Sequence, residues 1–181
     1  MKRLTLIRHA KSDWSDDGRH DVERPLNQRG WRAARVMGRW LAEQRLHFDL
    51  VLASPAIRVG ETLAGLAETY GREFAIETDK RIYLASSVTL MEVLRDRSGD
   101  AAHVMLCGHN PGTEDLVLEL TPDDGRCPSR DLVEEKYPTT AIAEIVLDIA
   151  DWRDLDTRTG RLERFTRPRD LAADLGPEYL G

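Results

Sequence analysis

Leu4-Thr5-Leu6-Ile7-Arg8-His9 is the stretch that decides the fold, because an apolar run ends there in two basic side chains. Residues 4–7 have the composition of a short buried strand, and arginine and histidine are uncommon in the apolar interior that such a strand enters. In an open α/β sheet, ligands bind at the carboxyl ends of the strands. This order of residues therefore predicts an anion-binding site after the first strand, with His9 as its nucleophile or proton carrier.

Two other predicted strands end in the same way. His109 follows the apolar run at residues 103–107, in a glycine-flanked turn. Arg58 follows the run at residues 49–53 and lies in the first turn of the next predicted helix, where unpaired backbone N–H groups and the helix dipole attract anions. Each has an ordinary alternative, since Arg58 fits a solvated surface charge and His109 fits a plain βα turn. Together they indicate one anion site built at three strand ends.

The composition is that of a globular protein: of the 181 residues, 41% are hydrophobic and 32% are charged. This length is enough for one domain, predicted at residues 1–181, with a core of its own. The formal net charge of -6 argues against nucleic acid as the main partner. The chain enters a strand at once without a signal peptide, and no apolar run is long enough to span a bilayer. These features predict a cytoplasmic protein with no membrane partner.

Cys107 and Cys127 are the two cysteines, and two such residues form no disulfide framework. The histidines and cysteines are scattered along the chain rather than grouped in the compact cluster that a zinc site requires. We therefore expect neither a metal site nor a cofactor.

Strands and helices alternate along the first two thirds of the chain. The predicted strands are at residues 4–7, 49–53, 74–77 and 103–107, and the predicted helices are at 27–44, 55–71, 88–97 and 113–120, with Pro55 in the first turn of the second. A long loop is predicted at 123–137, followed by an antiparallel strand pair at 141–149 and 160–165. This alternation predicts the α/β class: a three-layer α/β/α arrangement with a mainly parallel sheet and an antiparallel edge.

Four segments carry a resemblance to a known family, and their order and spacing make the set specific. They are Leu6-Ile7-Arg8-His9-Ala10, Arg24-Pro25-Leu26-Asn27-Gln28-Arg29-Gly30, Ser54-Pro55-Ala56-Ile57-Arg58 with Glu61-Thr62, and Gly108-His109-Asn110. In these segments the chain resembles the histidine phosphatase superfamily, also called the phosphoglycerate mutase-like family. The chain has a length similar to that of the short SixA-type phosphohistidine phosphatases, and its residues 8–14 and 137–141 resemble the corresponding segments of that branch. The resemblance implies a phosphoglycerate mutase-like fold.

The resemblance also implies a mechanism. His9 would attack phosphorus through a neutral ring nitrogen, and Arg8, Arg58 and His109 would hold the phosphoryl oxygens and stabilise the transferring group. The surroundings of His109 would decide whether it is protonated in that role. Water then hydrolyses the phosphohistidine formed at His9. No metal is implied, because two arginines and a histidine supply the positive charge that Mg²⁺ supplies elsewhere.

The chain departs from the family at one point. Many members have an acidic proton donor after the third strand, whereas residues 81–87 here contain no carboxylate. An alcohol that leaves a phosphate ester gains much from a proton donor, and a phosphoramidate nitrogen can take its proton from solvent. We therefore expect a phosphorylated substrate, with protein phosphohistidine as the first candidate. The alternatives are a phosphatase of small-molecule phosphate esters or anhydrides and a non-catalytic phosphate-binding module.

Overall fold

A six-stranded mixed sheet organises the part of the chain that the computed structural model describes, residues 1–15 and 18–176. The strands are β1 (Lys2–Arg8), β2 (Leu50–Ala53), β3 (Ile76–Thr78), β4 (His103–Gly108), β5 (Ile142–Leu147) and β6 (Gly160–Thr166). The helices are α1 (Gln28–Glu43), α2 (Ile57–Tyr70), α3 (Ser87–Arg97), α4 (Gly112–Leu120), α5 (Pro128–Glu135) and α6 (Pro168–Leu171), with short 3-10 turns at Asp21–Glu23, Lys80–Ile82, Trp152–Asp154 and Ala173–Leu175. The strand order is β3-β2-β4-β1-β5-β6. Strands β1 to β4 run parallel, and β5 lies antiparallel to β1 and to β6.

Helices cover both faces of the sheet, so the predicted three-layer α/β/α class is confirmed. On one face, α1 and α2 pack over a core that contains Ile7, Met37 and Leu63. On the other face, α3, α4 and α5 contribute to a core that contains Leu4 and Leu6. Side chains of β1 alternate between the two cores because successive residues of a strand point to opposite faces. Because both faces of β1 are buried, residues 4–7 are apolar except for Thr5.

Strand β1 lies in the interior of the sheet, between β4 and β5. Its last residues pair with both neighbours: Arg8 is opposite Gly108 of β4, and Ile7 is opposite Ile142 of β5. The residues that follow β1 and β4 therefore emerge side by side at the carboxyl edge of the parallel strands. This is the edge at which the sequence predicts a site.

The other predicted strands and helices are present, with boundaries that differ by up to two residues. The helix predicted to include Pro55 in its first turn begins at Ile57 instead. Ala56 has an extended backbone conformation (φ -63°, ψ 138°), and its N–H donates to the hydroxyl oxygen of Ser54. Pro55 therefore belongs to a turn that precedes the helix.

The prediction of one long loop at residues 123–137 is wrong, because α5 lies within it. Pro128 occupies the first helical position, where its missing N–H loses no hydrogen bond. Val133 is fully buried in the core, and Leu132 packs against the same core. A helix of two turns presents only these two apolar side chains, which is too short a pattern to show helical periodicity in the sequence.

Both cysteines are free thiols, with Cys107 buried and Cys127 partly exposed. Within residues 1–15 and 18–176, no three His, Cys, Asp or Glu side chains are grouped as metal ligands. No helix in the same two segments is both long enough and apolar enough to cross a membrane. The predicted domain extends to residue 181, and residues 16–17 and 177–181 lie outside the described residues.

Gly38 lies where α1 packs closely against α2. A Cβ atom at Gly38 would lie 2.2 Å from the carbonyl oxygen of Leu66, closer than these atoms can approach. Gly38→Ala should therefore lower the free energy of unfolding by about 1–3 kcal/mol, measured by urea denaturation. Gly60→Ala is the matched control, because Gly60 is exposed on α2 and an added Cβ meets nothing within 4 Å. That change should raise stability by up to about 1 kcal/mol, and equal stability of the two variants would contradict the close packing.

Candidate active site

The two predicted histidines meet at the carboxyl edge of the sheet. The backbone N–H of His9, just after β1, donates to the carbonyl oxygen of Gly108 (3.0 Å), and His109 follows β4 directly. The ring centroids of His9 and His109 are 5.1 Å apart, with the ring planes inclined at 57°. Both side chains are buried. The parallel pairing of β1 with β4 thus brings together two residues that are far apart in the sequence.

One hydrogen bond determines which ring nitrogen of His9 is available. Nδ1 lies 2.7 Å from the carbonyl oxygen of Ala10. A carbonyl oxygen only accepts, so the neutral ring carries its proton on Nδ1, and Nε2 carries the lone pair. The backbone N–H of Ala10 donates to the hydroxyl of Thr62 on α2 (2.8 Å), which holds this segment in place. His9 can therefore act as a nucleophile through Nε2.

Arg58 lies in the first turn of α2, as predicted, and its side chain is buried (1% exposed) rather than solvated. Its Nη2 donates to Nδ1 of His109 (3.3 Å). Because that nitrogen accepts, the neutral ring of His109 carries its proton on Nε2, which donates to the hydroxyl oxygen of Ser54 (2.7 Å). The segment between β2 and α2 therefore orients the second histidine.

Arg8, the last residue of β1, extends toward the loop after α5. Its Nη1 donates to the carbonyl oxygen of Tyr137 (2.8 Å), and the hydroxyl of Tyr137 donates to the carbonyl oxygen of Leu6 (2.7 Å). The Nε atoms of Arg8, Arg24 and Arg58 are buried and have no hydrogen-bond partner among the described residues. Buried N–H groups are paired in the great majority of cases. Three such donors on neighbouring arginines are a feature that a bound oxyanion would explain.

Asp21, Arg24 and Tyr83 also belong to the site, although the sequence analysis did not assign them to it. Oδ2 of Asp21 accepts hydrogen bonds from Arg58 (2.9 Å) and from the hydroxyl of Tyr83 (2.6 Å). Oδ1 of Asp21 forms an ion pair with Arg24 (2.7 Å). Tyr83 packs edge-on against His109, with ring centroids 5.4 Å apart. The only sequence signal among the three was Arg24, which lies in a segment that carries the family resemblance.

Both histidines are neutral at pH 7 in this environment. Burial is the largest cause that lowers the pKa of His9, and the charges of nearby arginines lower it further, to about 4. Burial also lowers the pKa of His109, together with the charges of His9 and Arg58, to about 3. These values agree with the two tautomers that the hydrogen bonds require. An anion bound between the rings would oppose both shifts, because negative charge favours the protonated form.

Two carboxyl groups near the site have opposite pKa shifts. Burial alone would raise the pKa of Asp21, but hydrogen bonds from Tyr83 and Arg58 outweigh it and lower the pKa. Burial raises the pKa of Glu114, in the first turn of α4, and the charge of Arg8 opposes this only in part. Asp21 is therefore an anchor for cations, whereas Glu114 is the carboxyl group that holds a proton more readily.

The structure brings all four predicted site residues to one place. The charges of Arg8 and Arg58 act on both His9 and His109, which requires that the four side chains be near neighbours. An oxyanion at this edge would meet guanidinium donors beside a ring nitrogen with a free lone pair. Such an arrangement suits transfer of a phosphoryl group to nitrogen.

Comparison with known proteins agrees with this geometry. A family model described as "Histidine phosphatase superfamily (branch 1)" matches residues 4–83. The uncharacterized protein Rv1276c of Mycobacterium tuberculosis (strain ATCC 25618 / H37Rv) is 33% identical over 165 residues, which cover 90% of this chain and 100% of the relative. Phosphohistidine phosphatase SixA of Escherichia coli (strain K12) is 28% identical over 148 residues, which cover 81% of this chain and 86% of that protein.

Solved structures show the same fold. A protein of Nakamurella multipartitia, designated a SixA phosphohistidine phosphatase, superposes with a TM-score of 0.80 at 25% identity and covers 92% of this chain and 96% of its own. The protein histidine phosphatase SixA complexed with tungstate gives a TM-score of 0.71 at 24% identity, over 93% of this chain and 99% of its own. This chain belongs to the histidine phosphatase superfamily. Within that superfamily it is a member of the SixA-type branch, and it is a phosphatase, a hydrolase.

Stability should depend on pH through the buried histidines. The pKa values of His9, His103 and His109 are lowered from 6.5 to about 4, about 4 and about 3. Between these values and 6.5 the unfolded chain binds protons that the folded chain does not, so the free energy of unfolding should fall as the pH drops from 7 to 4. Each histidine contributes on the order of 1–3 kcal/mol to this change. Urea denaturation in phosphate-free buffers would measure it.

His109→Gln should flatten this pH dependence, because one depressed pKa is removed. His47→Gln serves as the control, since the side chain of His47 is exposed in the turn between α1 and β2. A wild-type stability that stays constant from pH 7 to pH 4 would show that folding does not lower the pKa values of these rings.

Proposed function

We propose that this phosphatase hydrolyses protein phosphohistidine without a metal ion, through a phosphohistidine intermediate on His9. The observation that carries the proposal is the hydrogen bond from Nδ1 of His9 to the carbonyl oxygen of Ala10. It leaves the lone pair on Nε2, beside two guanidinium groups. The E. coli relative, which is named a phosphohistidine phosphatase, supports the choice of substrate.

The low pKa of His9 supports a role as nucleophile. At pH 7 the ring is neutral because of burial and of the surrounding arginine charges, so no proton has to leave Nε2 before attack. The same arginines that lower the pKa attract the phosphoryl group. The arginine charges therefore help to keep His9 neutral and also bind the phosphoryl group of the substrate.

Positive charge in the site comes from two arginine side chains. The guanidinium groups of Arg8 and Arg58 are held by hydrogen bonds to Tyr137 and Asp21. Their fixed donors stabilise the charge on the equatorial oxygens of the transferring phosphoryl group. His109 adds a donor when its Nε2–H exchanges the Ser54 hydroxyl for a phosphoryl oxygen, while the hydrogen bond from Arg58 keeps the ring oriented. This is the work that a divalent cation performs in other phosphoryl-transfer sites, and the proposal needs none.

The reaction takes place in two displacements. In the first, Nε2 of His9 forms a bond to phosphorus as the bond from phosphorus to the substrate imidazole nitrogen breaks, and the released imidazole takes its proton from water. In the second, a water molecule attacks the phosphorus of phospho-His9, which releases inorganic phosphate and restores neutral His9. Each displacement has a lower barrier than a single direct hydrolysis.

Substrate choice follows from the proton donors near the site. Tyr83 is the residue of the 81–87 segment that contacts the site, and its hydroxyl is hydrogen-bonded to Asp21. Burial is the largest cause that raises the pKa of Tyr83, which makes it a weak acid. An imidazole leaving group needs less help from an acid than an alkoxide does, so the site is better suited to phosphohistidine than to phosphate esters.

His9→Ala tests the nucleophile. With EDTA present, wild type should release phosphate from a phosphohistidine protein, and His9→Ala should lose at least about 10³-fold in kcat/KM. His47→Ala is the matched control at an exposed histidine and should retain full activity. Trapped, acid-labile phosphate on the wild-type chain, absent from His9→Ala, would identify the intermediate. If His9→Ala keeps its activity, or if EDTA abolishes wild-type activity, the proposal is wrong.

Hydrolysis of small phosphate esters is the second candidate function, and Glu114 is the observation in its favour. Its carboxyl has a raised pKa and accepts a hydrogen bond from Asn110 (2.7 Å), close to Arg8. If Glu114 protonates ester leaving groups, Glu114→Gln should slow p-nitrophenyl phosphate hydrolysis roughly 10²-fold and leave phosphohistidine hydrolysis unchanged. Under our proposal, wild type should be slow on p-nitrophenyl phosphate, and Glu114→Gln should change neither rate.

A further inference from the structure

A cationic groove lies next to the candidate active site. It has a volume of about 560 Å³, and its cationic lining consists of Arg8, Lys11, Arg29, Lys136, Arg167 and Arg169. We call it the basic groove, defined by these six residues. None of the described residues that line it is Asp or Glu. Because Arg8 belongs to both the groove and the site, the two surfaces are continuous.

The charge of the basic groove contrasts with that of the whole chain, whose net charge is -6. The sequence contains only four lysines, and two of them, Lys11 and Lys136, lie in this groove. Several arginines outside the groove are paired with carboxylates, as Arg35 is with Glu68 (2.5 Å). Among residues 1–15 and 18–176, no carboxylate forms an ion pair with Lys11, Lys136 or Arg169. Within the groove, Arg167 is paired with Asp170 (2.9 Å), so the positive charge that no ion pair compensates is that of Lys11, Lys136 and Arg169.

The arrangement of these cations indicates an elongated ligand. Lys11 follows β1, Lys136 directly follows α5, and Arg169 lies in α6, so the three charges come from separate segments around the groove. His9, Arg58 and His109 do not line the groove, so these three charges extend beyond the phosphoryl site. The volume is also within the range for a bound segment with several functional groups. Several anionic groups, spaced along one ligand, match this pattern.

We propose that the basic groove binds an acidic segment of the phosphorylated protein, with Asp or Glu side chains close to the phosphohistidine. This inference rests on the proposed function, since it names the surroundings of the phosphohistidine that reaches His9. An acidic protein would be repelled by the overall charge of this chain, and a local cationic surface beside the site reverses that repulsion at the point of contact. Except for Arg8, the groove residues bind the substrate and leave the phosphoryl transfer itself unchanged.

Binding can be tested without catalysis, using unphosphorylated peptides of one length in which histidine is flanked by either glutamates or glutamines. Measured by fluorescence anisotropy at low salt, wild type should bind the glutamate peptide about tenfold more tightly than the glutamine peptide, and added salt should remove the difference. The double variant Lys136→Gln/Arg169→Gln should bind both peptides equally. Equal affinity of wild type for the two peptides would overturn the proposal.

A matched double variant controls for the change in net charge. Lys80→Gln/Arg39→Gln removes two exposed positive charges outside the groove. It should keep the preference for glutamate in full. If it loses the preference as the groove variant does, the effect comes from overall charge, and the proposal is wrong. Thermal denaturation of both double variants verifies that each is folded.

Kinetics distinguishes this inference from the proposed function. With the phosphorylated glutamate peptide, the groove variant should show a KM raised about tenfold and an unchanged kcat, whereas its kinetics on free phosphohistidine should match wild type. If wild type prefers the glutamate peptide but releases no phosphate from any phosphohistidine substrate, the groove proposal stands and the proposed function fails. If both phosphopeptides are hydrolysed with equal KM, the function stands and the groove proposal fails.

Discussion

The hydrogen bond between Nδ1 of His9 and the carbonyl oxygen of Ala10 is the interaction on which the use of this site depends. It occupies one ring nitrogen and leaves the other with a lone pair. The carbonyl group of Ala10 has a fixed position because hydrogen bonds to β4 and to α2 hold the chain just after β1. The N–H of His9 bonds to Gly108, and the N–H of Ala10 bonds to Thr62. The reactivity of one side chain is thus a result of how β4 and α2 meet the end of β1.

A second constraint is the balance of charge around buried arginines. A buried guanidinium without a partner is costly, and Asp21 relieves this by binding Arg58 and Arg24 at once. Asp21 does not neutralise all of this positive charge, and the charge that remains contributes to the lowered pKa values of both histidines. In the basic groove, by contrast, the exposed side chain of Lys136 forms no ion pair with a carboxylate among the described residues. Internal pairing positions the inner cations, and the outer cations stay available to an external anion.

The order of strands and helices could be predicted because it is encoded locally. The apolar strands β1, β2 and β4 are each followed by turn residues and then a helix, and those patterns can be recognised from near neighbours in the sequence. That the four candidate residues lie at one edge of the sheet could be predicted because they stand where apolar runs end. Helix α5 could not, since its eight residues present only Leu132 and Val133 to the core. The places of Asp21 and Tyr83 could not be predicted either, because nothing in their local sequence shows that each bonds to a residue far along the chain.

By itself, the sequence determined the α/β class, the strand ends that carry Arg8, His9, Arg58 and His109, and the family resemblance, because all three depend on residue types at short spacing. Only the tertiary structure decided which ring nitrogens are protonated, that Asp21 ties Arg58 to Arg24, and that Lys11, Lys136 and Arg169 line one groove. The physical reason is that these properties depend on distances between segments that the sheet register brings together. Hydrogen bonds and charge interactions act over a few ångströms in space, whatever the separation along the chain.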